Sequence, residues 1–175
     1  MFKRPWQNPV PPLTESVNKT IYYPCNDDDN GMVWIGWRGP SAVKNKYDII
    51  ALCLLFKYFT DNAASPLQKV FVETDNAYAS SVGYSFSENS ESMILLTFDN
   101  VPKTKVNLIK SVLDETLKNI SNSKDGIDLQ RMRAVIHRYM LEILSNLESC
   151  PHESVAFMII GDVLFGNNNE DVSNM

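Results

Sequence analysis

The chain has 175 residues, 44% of them hydrophobic, and carries a formal net charge of -5 with a pI near 5.0. This length and apolar content suit one domain with its own hydrophobic core. The acidic balance argues against a nucleic-acid-binding surface, which is normally basic. The longest apolar run, residues 49–56, is far short of the roughly 20 residues that cross a bilayer, so no membrane span is predicted.

The cysteines and the N-terminal residues indicate the compartment. Cys25, Cys53 and Cys150 are odd in number, widely separated and without a CxxC pair, which does not fit a disulfide framework and suits a reducing environment. Residues 2–6 are followed by prolines instead of the apolar segment of a secretory signal. We therefore expect an intracellular protein, cytoplasmic or mitochondrial.

A proline-rich segment precedes the first predicted strands. Prolines at positions 5, 9, 11 and 12 favour extended chain, and we interpret residues 1–14 as an arm or linker. Residues 19–25 and 31–38 are rich in β-branched and aromatic residues, and a run of turn-forming residues joins them. The pattern predicts that these two strands pair as a hairpin.

Residues 47–60 are predicted to form a helix. Its apolar stripe, at i, i+3, i+4 and i+7 spacing, comprises Tyr47, Ile50, Ala51, Leu54, Leu55 and Tyr58. Cys53 and Phe56 are among the apolar residues that fill much of the remaining circumference, so the helix requires cover on more than one side. It is either the central helix of the domain or a helix shared with a neighbour. A shorter helix over residues 65–73 follows, with Ser65 as its N-cap.

A second hairpin and three helices complete the predicted order. Residues 78–87 alternate large and small side chains, and residues 92–99 continue one face of that pattern, which predicts a hairpin. Helical periodicity returns over residues 103–120. Asp128 is then a good N-cap for the longest helix. The predicted apolar stripe of that helix is Leu129, Met132, Ile136, Met140, Ile143 and Leu147. Pro151 opens a last helix, over residues 155–164, that ends before Gly166.

The element order ββααββααα predicts an α+β fold, a two-layer sandwich in which helices cover an antiparallel sheet. We divide the chain into an arm or linker at residues 1–14, a single α+β module at residues 15–166 and a polar tail at residues 167–175. The tail is rich in amides and acidic residues, which is typical of a frayed terminus.

The residues that could perform chemistry are few. Zinc catalysis needs three protein ligands, commonly two of them histidines on one helical face, and the chain has only His137 and His152. His137 sits mid-helix beside the apolar stripe with no histidine three or four residues away, which favours a structural histidine bonded to a neighbour. His152 lies near Cys150, so a metal pair is conceivable, but no further ligand follows. GxSxG, Walker and dinucleotide motifs are absent, and the chain alone does not look like a self-sufficient enzyme.

Five short stretches carry a family resemblance through their order and spacing. They are Arg-Pro-Trp-Gln-Asn-Pro-Val-Pro-Pro-Leu at 4–13, Gly-Met-Val-Trp-Ile-Gly-Trp-Arg-Gly-Pro at 31–40, Ser-Pro-Leu at 65–67, Phe-Val-Glu at 71–73 and Val-Pro at 101–102. Together they resemble the pitrilysin-like (M16) zinc metallopeptidases, especially the large single-chain members similar to insulysin and to the presequence proteases. The resemblance extends over nearly the whole chain.

The resemblance implies a part of a larger peptidase. In that family four homologous α+β modules close around a peptide chamber, and the first module carries the zinc motif HxxEH with a downstream glutamate ligand. This sequence contains no HxxEH. The resemblance therefore implies a non-catalytic module, the second of the four, with zinc held in the catalytic module of the parent. The implied partners are the adjoining modules of the same polypeptide and the peptide substrate.

One residue pair of the family can be compared directly. Insulysin-like enzymes carry, in the last module, an arginine and a tyrosine seven positions apart that help to hold the substrate, and the matching residues here are Phe71 and Tyr78. Because phenylalanine replaces arginine, the pair cannot supply a positive charge to a developing oxyanion. The resemblance leaves Tyr78 as the one candidate substrate-binding residue, with membership of the predicted sheet as the alternative.

Two hypotheses of different classes follow. The first is a chamber-forming module of a zinc-dependent peptidase, without zinc, nucleophile or general base of its own. The second is a proteolytically inactive scaffold or interaction subunit of the same fold. An HxxEH motif in the same polypeptide favours the first, and a degenerate or missing motif favours the second.

Overall fold

The computed structural model describes residues 11–41, 45–87, 92–123 and 126–165, with the side chains of residues 46, 164 and 165 excepted. The elements in chain order are β1 (Asn30–Arg38), α1 (Lys46–Thr60), α2 (Pro66–Phe71), β2 (Ser81–Ser87), β3 (Met93–Pro102), α3 (Ile109–Asn122), α4 (Leu129–Ser149) and α5 (Pro151–Phe165). A single 3-10 turn, Val106–Leu108, leads into α3. The predicted α+β class with an antiparallel sheet is confirmed.

The sheet in the described part of the chain has the strand order β1-β3-β2, with both pairs antiparallel. Leu96 in the central strand stands between Ile35 of β1 and Tyr84 of β2. Burial alternates along β3, where Ile94, Leu96 and Phe98 are buried towards the helices. The predicted antiparallel pairing of β2 and β3 is confirmed, although β2 begins at Ser81 and not at Tyr78.

The predicted first strand does not form. Residues 19–25 have no regular structure and are exposed, and β1 pairs with β3 instead of with this segment. The turn after the segment is held by local bonds, since Asp27 Oδ1 accepts hydrogen bonds from the backbone N–H groups of Asp29 (2.9 Å) and Asn30 (3.2 Å). Such side-chain-to-backbone bonds compete with strand pairing, and Pro24 has no N–H to donate.

The core lies between the sheet and the helices α1, α2 and α3. Its largest fully buried side chains are Phe71, Phe98, Leu67, Leu96, Ile109, Leu113 and Val101. The rings of Phe71 and Phe98 meet edge to face with centroids 4.8 Å apart. Because each such side chain contributes about 1.5–3 kcal/mol when fully buried, this cluster supplies much of the driving force for folding.

Helix α1 is covered over only part of its surface by the described chain. At its C-terminal end Tyr58 and Phe59 are buried, as the predicted stripe requires for Tyr58. At its N-terminal end the stripe is wrong, because Tyr47 is 84% exposed and Ile49 is the buried residue. Phe56 and Cys53, on the sides of the helix, are half-buried. Within the described residues the helix therefore contributes to the core with its C-terminal end and is only partly covered elsewhere.

Helix α4 begins at the predicted residue, but the face that it buries differs in part from the predicted one. Asp128 Oδ1 accepts hydrogen bonds from the N–H groups of Gln130 (2.9 Å) and Arg131 (3.1 Å), which confirms the predicted N-cap. The predicted stripe is right only in part. Met132 packs against the core, whereas Leu129 is 68% exposed, Met140 is also exposed, and the buried residue Val135 lies outside the stripe. Periodicity identified the helix but only part of its covered face.

Arg131 joins the start of α4 to the start of α2. Its guanidinium donates to the carbonyl of Ala64 (2.7 Å) and to the hydroxyl of Ser65 (2.7 Å), and it lies 5.2 Å from the centre of the Tyr58 ring. Ser65 occupies the predicted N-cap position of α2, with Pro66 in the first turn. Its hydroxyl serves the N–H of Asn62 and Arg131 and does not cap the helix.

The two ends of the chain fall largely outside the described residues. Of the predicted arm, residues 11–14 are exposed and without regular structure, and residues 1–10 are not described. The polar tail at residues 167–175 and the predicted helix end at Gly166 are not described either. The last helix begins at Pro151, four residues before the predicted span.

Candidate functional site

Tyr78 lies in the connection between α2 and β2 and packs on the core. Its ring meets that of Phe71 edge to face at 5.8 Å, and its backbone N–H donates to the carbonyl of Phe71 (2.8 Å). The ammonium group of Lys105 lies 5.3 Å from the ring centre and donates to the carbonyl of Ala77 (2.7 Å). The residue pair that the family resemblance singles out is thus in direct contact, with fully buried Phe71 where a cation would be needed for anion binding.

The two histidines lie on different helices and are both exposed, His137 on α4 and His152 on α5. Cys150, the predicted neighbour of His152, is exposed as well. In residues 11–165, apart from those left undescribed, no three His, Cys, Asp or Glu side chains are placed to share a metal ion. The described residues therefore offer no zinc site.

A network of four charged side chains joins α1 to α4. Lys57 Nζ lies 2.7 Å from Glu142 Oε2, and Arg138 reaches both Glu142 Oε1 (3.2 Å) and Asp61 Oδ2 (2.9 Å). The hydrogen bond from Lys57 lowers the pKa of the Glu142 carboxyl, and the charges of Lys57 and Arg138 act in the same direction. This network has alternating charges and satisfied partners, which is the arrangement of a helix-to-helix contact.

Tyr84 and Cys53 form a polar contact between the sheet and α1. Their Oη and Sγ atoms are 3.7 Å apart. Burial, followed by the hydrogen bond with Cys53, raises the pKa of Tyr84 above its ordinary value. The Tyr84 hydroxyl is therefore held in its neutral form and is poorly suited to act as a base.

An apolar groove opens between α1, α3 and the sheet. One cavity of about 290 Å³ is lined by Trp37, Leu55, Phe56, Phe59, Leu96 and Leu117. A second cavity, of about 410 Å³, shares Leu55, Phe59 and Leu117 with the first and continues along the end of α3 towards Ile120 and Ile127. The walls of the groove are mainly apolar side chains and offer few groups for chemistry.

Two further apolar surfaces are exposed. On the sheet face turned away from the core, Met32, Trp34 and Met93 are exposed. On α4 and α5 the exposed apolar side chains include Leu129, Ile136, Met140, Leu141, Leu144, Val155, Phe157, Met158, Ile159, Ile160 and Val163. Contiguous apolar surface on a folded domain marks an interaction site. Within the described part of the chain, no helix is both long and apolar enough to cross a membrane.

The fold and these surfaces define a class: an α+β module in whose described residues no three metal-binding side chains come together and which exposes apolar surface on several elements. The sequence profile of the peptidase M16 inactive domain matches residues 2–139. The chain therefore belongs to the M16 family as an inactive domain, and the predicted non-catalytic M16 module is confirmed.

Individual proteins share the sequence or the fold of this chain. An uncharacterised protein of Schizosaccharomyces pombe is 29% identical over 99% of this chain, which spans only 17% of that relative's length. The inactive peptidase domain of a proposed zinc protease from Bordetella parapertussis has the same fold, with a TM-score of 0.66 at 14% identity over 81% of this chain and 72% of the other. A Helicobacter pylori protease matches with a TM-score of 0.64 and 23% identity over 82% of this chain and 33% of its own.

Sequence reasoning missed the sites that the structure makes most prominent. The Trp37 groove brings together residues from β1, α1, β3 and α3, which are far apart in the chain. The only signal in the sequence was the nearly continuous apolar circumference of residues 47–60. That signal indicated a second covering surface but could not locate it.

Proposed function

We propose that this chain is the chamber-forming, non-catalytic module of a zinc-dependent metallopeptidase, and that the longer parent polypeptide carries out the proteolysis of peptides. The observation that carries the proposal is the M16 inactive-domain match in a chain whose sequence has no HxxEH. The 17% share of the relative's length supports a longer parent. In the proposal zinc is held by another module of the same polypeptide.

The exposed apolar surfaces support a role in assembly. Apolar side chains are accessible on three different parts of the fold: the outer sheet face, the groove lined by Trp37, and the surface of α4 and α5. Apolar surface of this kind is typically covered by an interaction partner. In the proposed parent some of these surfaces pack against the adjoining modules. The others face the chamber, where apolar side chains of an extended peptide find contacts.

Tyr78 enters this proposal as a chamber residue. Tyr78 is half-buried beside Phe71 and Lys105, so part of the residue remains accessible. In the proposal this accessible part contacts the peptide but does not stabilise a developing charge. A Tyr78→Phe change in the parent then alters KM for peptides slightly and leaves kcat unchanged.

The test compares the 175-residue chain with the intact polypeptide from the same transcript. We expect the intact polypeptide to bind one zinc ion and to cleave unstructured peptides but not folded proteins, since a chamber excludes them. The 175-residue chain is expected to do neither. Glu→Gln in an HxxEH motif of the parent serves as the control that removes hydrolysis and keeps zinc.

Two outcomes contradict the proposal. Stoichiometric zinc binding at submicromolar affinity with peptide hydrolysis by the 175-residue chain makes it an enzyme in its own right. An intact polypeptide without HxxEH and without hydrolysis makes it the inactive scaffold of the second hypothesis.

A further inference from the structure

Residues 19–23 have the composition of a β-strand but no partner in the described part of the chain. The segment contains Thr20, Ile21, Tyr22 and Tyr23, residue types that favour strands. Ile21 is 77% exposed, Tyr22 is 92% exposed and Tyr23 is 56% exposed. None of the hydrogen bonds between described residues involves residues 11–24. The backbone N–H and C=O groups of this segment thus have no hydrogen-bond partner among the described residues, and its large apolar side chains are exposed to solvent.

The turn at residues 25–30 separates this segment from β1. Asp27 accepts backbone hydrogen bonds from Asp29 and Asn30, and the Asn30 side chain donates to Asp27 Oδ2 (3.0 Å). The N–H of Lys103 donates to the carbonyl of Asp29 (3.0 Å), which ties the end of the turn to the residue after β3. The turn is therefore anchored at β3, and the segment before it does not fold back onto the outer edge of β1.

We propose that residues 19–23 add as an edge strand to a β-sheet in a neighbouring module of the same longer polypeptide. An open sheet edge supplies the N–H and C=O partners that the segment lacks. Side chains alternate along a strand, so Ile21 and Tyr23 fall on one face of that sheet and Thr20 and Tyr22 on the other. Pro24 has no N–H and ends the ladder at the turn.

The length of a relative supports a neighbouring module of the same polypeptide as the partner. This chain spans 17% of the Schizosaccharomyces pombe relative, so most of that polypeptide lies outside the region matched here. A sheet edge joined covalently to this chain meets the segment at a high effective concentration, which a second free copy does not. The inference rests on the proposed function only in requiring a longer polypeptide, and not in requiring that it be an active peptidase.

The test is amide hydrogen exchange at residues 20–23, measured in the 175-residue chain and in the intact polypeptide. We expect unprotected exchange in the 175-residue chain and protection of at least about 100-fold in the intact polypeptide. Because an edge strand pairs on one side only, the protection falls on alternate amides, either Thr20 and Tyr22 or Ile21 and Tyr23. Equal exchange in the two samples overturns the proposal.

A pair of proline variants in the intact polypeptide supplies the matched control. Ile21→Pro or Tyr22→Pro, whichever replaces a protected amide, removes a donor of the ladder and is expected to abolish protection of the other protected amide, whereas Val17→Pro, outside the segment, leaves protection unchanged. Protection of residues 20–23 in the monomeric 175-residue chain overturns the proposal in favour of a hairpin with β1. Protection that appears only as its concentration rises overturns it in favour of pairing between copies.

A different measurement tests the proposed function. If the intact polypeptide neither binds zinc nor hydrolyses peptides, the proposed peptidase function is contradicted, but hydrogen exchange at residues 20–23 still tests strand addition. Conversely, an active zinc peptidase with unprotected residues 20–23 contradicts strand addition alone.

Discussion

Glu142 is a carboxylate of the contact between α1 and α4, and its pKa is lowered there. Its carboxylate accepts hydrogen bonds from Lys57 Nζ (2.7 Å) and Arg138 Nε (3.2 Å). The bond from Lys57 is the main cause of its lowered pKa, and partial burial of the carboxyl opposes the shift. A carboxyl with a lowered pKa in the folded chain makes stability depend on pH.

We expect Glu142→Gln to destabilise the chain modestly at neutral pH and not at all in strong acid. The contribution of Glu142 is fully present above the unfolded-state pKa of about 4.3 and is lost as the pH falls through the lower folded-state pKa. Because the Glu142 side chain is 39% exposed, solvent screening limits the loss at pH 7 to about 0.2–1 kcal/mol. Urea unfolding at pH 7 and at acid pH measures the difference.

Glu148→Gln is the matched control for this experiment. Glu148 is exposed on the same helix and forms no ion pair with a described residue. Its replacement is expected to change the free energy of unfolding equally little at both pH values. A Glu142→Gln effect that grows on acidification would contradict the assigned sign.

Single residues were predictable where their role is local. Asp128 was identified as an N-cap from its type and position, because capping depends on the next three residues only. Tyr78 was placed in a strand, and this was wrong because the ladder begins where Ser81 meets Asp99. The contact between Tyr78 and Phe71 depends on the path of the connection between α2 and β2, which residue types do not specify.

At the scale of elements, local pattern predicted which segments are strands better than it predicted their partners. Residues 19–25 and β1 have similar strand composition, but β1 finds its partner in β3, some sixty residues further on. The helices were easier, since their hydrogen bonds are internal. Their boundaries moved by a few residues, as with α5, which starts at Pro151.

The end of β1 is joined to the start of β3 through Gly39, Pro40 and Ser92. The N–H of Gly39 donates to the carbonyl of Ser92 (3.0 Å), and the Ser92 hydroxyl donates to the carbonyl of Pro40 (2.6 Å). Ser92 is fully buried. A Cβ atom on Gly39 would overlap the Ser92 hydroxyl oxygen, so the close approach of these two backbone segments requires glycine at position 39.

We expect Gly39→Ala to cost about 1–3 kcal/mol through this overlap. Ser92→Ala is expected to cost about 0.5–1.5 kcal/mol through the lost hydrogen bond. The double variant should be no less stable than Ser92→Ala alone, because the atom that a Cβ at position 39 meets has been removed, and the remaining neighbours lie at 3.4 Å or more. Chemical denaturation of the four proteins completes the cycle.

Gly161→Ala provides the control for adding a methyl group. Gly161 lies in α5 with nothing within 4 Å of the added Cβ, so alanine is expected to stabilise the chain by up to about 1 kcal/mol through helix propensity.

The double variant at positions 39 and 92 gives the contradicting outcome. If its cost equals the sum of the costs of Gly39→Ala and Ser92→Ala, the alanine at position 39 does not meet the Ser92 hydroxyl.

For the whole molecule, sequence reasoning reached the fold class and the family but not the extent of uncovered surface. The helical periods of α1 and α4 predicted apolar stripes, and the structure leaves Tyr47, Leu129 and Met140 exposed on them. A period shows that a face is apolar and not what covers it. The residues wrongly assigned to the core lie mainly on helix surfaces that the described chain does not cover.

The apolar surface of α5 allows this explanation to be tested. Phe157 is 66% exposed and Ile160, one turn away, is also exposed. In the 175-residue chain, changing both residues to glutamine should alter the free energy of unfolding by no more than about 0.5 kcal/mol and should reduce self-association. In the intact polypeptide the same change should cost about 1.5–3 kcal/mol for each side chain that a neighbouring module buries.

Leu113→Ala separates a covered surface from a general loss of packing. Leu113 is fully buried in this chain, so its truncation is expected to cost about 2–5 kcal/mol in the 175-residue chain and in the intact polypeptide alike. Chemical denaturation, with sedimentation for self-association, measures both variants in both proteins. If the glutamine variant loses as much stability as Leu113→Ala in the 175-residue chain, α5 is packed within its own domain and needs no neighbour. A cost confined to the intact polypeptide means that α5 completes its packing only there.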